Sequence, residues 1–216
     1  MEARKGTTLK NMKNPDTASA ELCLQEALAD NLALIKHRWA EIRYAMDEKR
    51  AQQTALAELE SFAQEVTEQF PDNAEALAWH GQVAATQGEL AAGMSALKYA
   101  TQARDLFEQS VAIDEAALEG TAHISLGALY YEVPGWPMGF GNKSKAHEHL
   151  TRALELFPDD IEANFYFAGY ERKYGKRQSA IEWFERALEL SREQSDGSLS
   201  AEGRQREIKA TLDGLR

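Results

Sequence analysis

At 216 residues the chain is long enough to bury a core without disulfide or metal staples. Asp and Glu number 35 against 24 Lys and Arg, a formal net charge of -11. That surplus excludes non-specific nucleic-acid binding, which needs cationic side chains to neutralise phosphates, and disfavours an anionic membrane surface.

Residues 1–18 are polar, carry Gly6 and Pro15 and lack periodicity, so they read as a flexible N-terminal arm. The remainder, 19–216, reads as a single helical domain. The first twenty residues hold no apolar leader, which fits a cytoplasmic protein and fits equally an exported one whose leader has been removed. No run reaches the roughly 20 apolar residues of a membrane span, so no membrane insertion is expected. Cys23 is the one cysteine, which excludes an internal disulfide and a thiolate-rich metal site.

From Glu21 the helical period takes over. Leu22, Leu28, Leu32, Ile35, Trp39, Ile42 and Met46 fall on one stripe, and a second helix near residues 50–70 turns Leu56, Leu59, Phe62, Ala63 and Val66 inward. Pro71-Asp72-Asn73 stops that helix and supplies a cap for the next. The same punctuation returns as Phe157-Pro158-Asp159-Asp160.

Recurrence of this kind points to repeats. After each Pro, a small residue is followed seven positions later by glycine: Gly81 then Gly88, Ala168 then Gly175. "GTAHISLGALYYE" supplies a third copy at Gly127. Companion helices carry Ala103, Phe107 and Ser110; Ala146, Leu150 and Ala153; Ala180, Phe184 and Ala187. Steps of four and then three put each set on one helical face, where small residues let two helices approach and the large one fills the space between them.

These residues resemble the tetratricopeptide repeat, a helix–turn–helix of about 34 residues. The match is clean over 118–190 and degenerate over 21–117. It implies an all-α, antiparallel helix-pair solenoid with pairs at about 21–71, 72–116, 118–158 and 159–191. A polar capping helix over 201–216 would keep the last apolar face covered.

Register isolates an insertion. From Gly127 to Ala146 the third pair spends seven more positions than the fourth spends from Ala168 to Ala180, and the excess falls in "EVPGWPMGFGNKSK". The excess between Gly81 and Ala103 is helix-compatible and predicts a longer companion helix. "GFGNKS" is not a phosphate loop: Pro137 stands where the first glycine belongs, Asn142 replaces the second, and a helix precedes it where a strand is required. The density of aromatics beside glycines predicts an ordered turn with Trp136, Met138 and Phe140 folded back over their own helix pair. Bordering the groove, Trp136 and Phe140 would also serve as anchors for a partner.

His147 and His149 lie about 200° apart around a helix and cannot share a metal, while His37, His80 and His123 stand isolated. No nucleophile pairs with a base at a recognisable spacing. The chain therefore reads as non-catalytic, with no cofactor and no metal.

The resemblance implies a concave surface, lined by the opening helices, that holds a peptide or another protein. One subgroup of the family grips a C-terminal carboxylate with Lys and Asn on those helices; "EALAWHGQVAATQ" and "GTAHISLGALYYE" contain neither, so that clamp is not expected. The inward candidates are Gln82, Tyr131, Phe165, Arg172 and Lys173, which with Trp136 and Phe140 make up the expected partner-binding set. Two functions follow. The first is a protein-interaction scaffold. The second is a periplasmic transport-accessory or ligand-binding protein working with a solute-binding protein, because the Gly-rich insert before "KAHEHLTRALEL" also resembles tetratricopeptide proteins of that kind. The first predicts an open groove, and the second an enclosed cavity holding a small apolar ligand. A homo-oligomer stays open under both.

Overall fold

The computed structural model describes residues 15–215, which form nine helices: α1 (Pro15–Ala45), α2 (Lys49–Gln69), α3 (Ala74–Leu90), α4 (Gly93–Ile113), α5 (Ala117–Glu132), α6 (Lys143–Leu156), α7 (Ile161–Tyr174), α8 (Arg177–Glu193) and α9 (Leu199–Leu215). No strand occurs among the described residues. Of the expected arm, residues 1–14 lie outside them, and Pro15 already opens α1. Proline suits that first position, because its φ is preset for a helix and its missing N–H would have no helical partner there.

The pairs α1–α2, α3–α4, α5–α6 and α7–α8 stack in order, and the elbows between pairs repeat in atomic detail. Phe70 N–H donates to Val66 O at 2.9 Å and Asn73 N–H to Phe70 O at 3.1 Å; Phe157 N–H donates to Ala153 O at 2.8 Å and Asp160 N–H to Phe157 O at 3.2 Å. Asn73 then caps α3 through Ala76 N–H at 2.8 Å, and Asp160 caps α7 through Ala163 N–H at 2.7 Å. Each cap satisfies one backbone donor that the first turn would otherwise leave open. Between these two elbows α5 starts differently. Leu118, Glu119 and Gly120 all have positive φ, of 48°, 55° and 75°, so regular helix begins only at Thr121. Left-handed backbone is costly for Leu and Glu, on the order of 1–3 kcal/mol each.

Within each pair the three-residue pattern is the seam. Ala103, Phe107, Ser110, Ala146, Leu150, Ala153, Ala180, Phe184 and Ala187 are all essentially inaccessible. Opposite them a small residue admits the large one: a Cβ on Gly81 would stand 2.8 Å from the Phe107 ring. The positions expected to lengthen the second pair do so on both sides of a short link, extending α3 to Leu90 and starting α4 at Gly93.

Candidate functional site: two joined cavities and their rim

The opening helices α1, α3, α5 and α7 line the inner face, and α9 closes it. Arg43 on α1 donates to Glu207 on α9 at 3.3 Å and to Glu89 on α3 at 2.6 Å. Arg204 on α9 makes a two-pronged pair with Glu162 on α7, Nε to Oε1 at 2.7 Å and Nη2 to Oε2 at 2.6 Å, and reaches Glu207 at 2.5 Å. Its guanidinium also lies 4.5 Å from the Phe165 ring centre and 5.5 Å from that of Tyr166. Burial works against the charge on both arginines, but the surrounding carboxylates outweigh it and hold their pKa values above the usual guanidinium range. Arg43 thus joins the last helix to the first through a part-buried, charge-assisted pair, while Arg204 ties α9 to α7.

Two half-open cavities share Gln82, Ser125 and Tyr166, and only the first is walled by α1 and α9. The first, about 510 Å³, is walled by Trp39, Trp79, Tyr44 and Arg204 and by the left-handed residues Leu118 and Glu119. The second, about 570 Å³, lies between α3, α4 and α5, with Leu97, Ala100, Ala128 and Leu129 on its walls and Glu89 and Glu132 as its carboxylates. Met94 and Met138 stand on its lip.

The connection from α5 to α6 reaches that lip. It closes on itself through Gly141 N–H to Pro134 O at 2.9 Å and Met138 N–H to Gly135 O at 3.1 Å, while Asn142 N–H donates to Tyr130 O at 2.8 Å. Asn142 also caps α6, accepting from Ser144 and Lys145 N–H at 3.0 and 3.1 Å. Strand-like closure leaves Trp136 90% and Met138 72% exposed, and Met94, which lines the same cavity as Met138, is 83% exposed.

The sequence matches no family model and no curated protein. A crystal structure described as that of a thermophilic TPR protein in Thermus thermophilus does match the structure, with a TM-score of 0.56 at 14% identity over 92% of this chain and 95% of that one. The fold is a tetratricopeptide-repeat solenoid.

Within this solenoid the expected site residues separate. Gln82 lines both cavities. Tyr131 is buried in the seam, its ring against Gly169, and its backbone carbonyl accepts from Lys173 Nζ. Phe165 packs edge-on to Phe184 at 5.5 Å, beneath Arg204, and Arg172 points to solvent. Phe140 folds back as expected, edge-on to Tyr130 at 5.7 Å and 4.7 Å from the Arg104 guanidinium. Trp136 and Met138 do not fold back. The backbone at Gly141 runs so close to Val133 and Pro134 that a Cβ there would stand 1.9 Å from Val133 O, so this position requires glycine.

Two polar clusters lie away from the cavities. His123 and His149, on partner helices of one repeat, face each other through Nδ1 atoms 2.9 Å apart, with Glu115 3.4 Å from His123 Nε2 and Tyr130 stacked on His149. His123 is therefore not isolated. Burial lowers its pKa, and burial with the neighbouring His123 lowers that of His149 to about 4. Glu60, His80 and Thr67 form a carboxylate–imidazole–hydroxyl chain at 3.2 and 3.1 Å. Thr67 is buried, and this chain ties α2 to α3. Among the described residues no cluster of three or more His, Cys, Asp or Glu has the geometry to hold a metal, and no helix is long and apolar enough to cross a membrane.

Proposed function

We propose that the protein is a non-catalytic scaffold that binds a partner protein at the lip of the second cavity. The observation that carries this reading is the exposure of Met94 and Met138 at one apolar opening, with Trp136 exposed on the connection that carries Met138. Large apolar side chains left in water at a single mouth mark contact surfaces more often than chance exposure does. Tryptophan is the commonest anchor of such surfaces, and methionine adapts its shape to what it meets. The hydrogen bonds that close the 133–142 connection hold Trp136 ready, which lowers the ordering cost of binding. Tyr131 and Phe165 support the scaffold from inside; of the expected set Gln82 lines the cavity, and Trp136 and Phe140 belong to the connection that carries Met138. A photo-cross-linking residue in place of Met138 should capture one stoichiometric protein, and the same residue at exposed Gln64 should not. Equal capture from both positions would refute the reading.

A second reading rests on the junction between α1 and α9, which walls the first cavity to small-molecule size. Native mass spectrometry tests it directly: a retained small molecule supports it, and a bare mass under gentle desolvation goes against it.

A further inference from the structure

We infer that the second cavity binds a small organic amine, with an aliphatic body along its walls and a cationic nitrogen facing Glu132 and Glu89. This goes beyond the partner-binding reading and rests on different atoms, those inside the cavity instead of those on its lip.

The walls fix the body of the ligand. Ala85, Leu97, Ala100, Ala128, Leu129 and Val133 offer no side-chain hydrogen bonds, and a volume of about 570 Å³ suits a molecule of modest size. The ionisable side chains fix its charge. Those lining the cavity are Glu89, Glu132 and Tyr166, and neither lysine nor arginine lines it. Glu89 already holds Arg43 at 2.6 Å. Glu132 has no ion pair among the described residues. The nearby ammonium of Lys173 is engaged with the Tyr131 carbonyl, and the Arg172 side chain points to solvent.

Glu132 stands on the open side of the cavity, where solvent reaches the residue while the apolar walls take away part of its hydration. Tyr131 donates a hydrogen bond to this carboxylate and Lys173 and Arg172 favour its charge from farther off, but no cation among the described residues touches it, and a bound ammonium would supply that contact. Removal from bulk water, and then the charge of Glu89, push the pKa of the Glu132 carboxyl up. An anionic ligand of the same size would add a third negative charge. Where the cavities meet, Ser125 Oγ donates to Gln82 Oε1 at 3.3 Å, so a hydroxyl oxygen remains to accept an ammonium N–H. The net charge of -11 raises the local concentration of any cation.

The test uses the full chain and three probes with one alkyl body: octylamine, octan-1-ol and octanoate, titrated by calorimetry below their aggregation limits. Octylamine should bind at least tenfold more tightly than octan-1-ol, and octanoate more weakly than either. Glu132→Gln should bring octylamine to the affinity of octan-1-ol while leaving octan-1-ol binding unchanged, which shows that the cavity survives. Trp136→Ser, which touches only the partner-binding reading, should leave octylamine binding intact, so the two readings can fail separately. Octanoate binding as well as octylamine, no binding of any probe, or an amine preference that persists in Glu132→Gln would each overturn the inference.

Discussion

Gly127 on α5 lies so close to Leu150 on α6 that a Cβ carbon added to it would stand 2.4 Å from Leu150 Cγ. Leu150 is wholly buried and cannot retreat without opening the seam of its pair. Gly127→Leu should therefore cost at least about 1–3 kcal/mol, the usual penalty for overpacking, read as a lower midpoint in urea. Gly214, which has nothing within 4 Å of such a carbon, is the control. Gly214→Ala should be neutral or stabilise α9 by up to about 1 kcal/mol. Equal midpoints for Gly127→Leu and the parent chain would show that the two helices do not pack in this register.

The two aromatics of the 133–142 connection should behave oppositely. Trp136→Ala should leave the thermal midpoint unchanged, because the ring makes little contact with the rest of the protein. Phe140→Ala removes the edge contact with Tyr130 and the face offered to Arg104, and should cost about 1–2 kcal/mol. Acrylamide should quench Trp136 far more readily than Trp39, and Trp136→Phe should remove the quenchable share of the emission.

Stability should fall as the solution is acidified below about pH 6.5, in part through His149. In the unfolded chain this imidazole takes up a proton near pH 6.5, whereas in the fold it does so near 4. Between those values the unfolded state binds more protons, so lowering the pH favours unfolding. With partial solvent access allowed for, the loss is about 1–2 kcal/mol by pH 4.5. Protonating both rings would also place two donors against each other across the 2.9 Å between Nδ1 atoms. His149→Phe keeps a ring on Tyr130 and should flatten this part of the profile in differential scanning fluorimetry. An unchanged slope would mean that another group sets it.

Arg204→Met tests what holds α9. The substitution keeps much of the apolar stem but leaves Glu162 without its cation and Glu207 with Arg43 alone. Breaking a buried pair from one side costs about 3–5 kcal/mol, and the partial exposure of both carboxylates places the loss here near about 3. Small-angle scattering should show a larger radius of gyration if α9 swings away from α1. A native radius with native stability would reduce Arg204 to a bystander.

The seams were legible in the sequence because their rule is local. Ala146, Leu150 and Ala153 announce one buried face by spacing alone, and Pro158 marks where the pair ends. The cavities were not, because Gln82, Glu132, Tyr166 and Arg204 come together only after four turns of the solenoid. Periodicity also could not place Tyr131. An opening helix touches its companion, its neighbour and the inner surface, so apolar residues circle most of it and no single stripe identifies the inner face. Trp136 was hidden for the opposite reason. A large apolar side chain next to glycines reads as buried, whereas the hydrogen-bonded closure of the 133–142 connection leaves this one exposed.

The contact between α9 and α1 also bears on how the gene for such a chain could change. An open solenoid gains or loses a helix pair by unequal recombination and remains a solenoid. Here Gly203 of α9 receives the ring of Tyr44 from α1, with room for no side chain between them, while Arg43 and Glu207 join alongside. A duplicated pair would carry Gly203 past Tyr44, and a deleted one would leave it short. The junction of Gly203 with Tyr44 and of Arg43 with Glu207 fits four pairs, and a change in their number would break it.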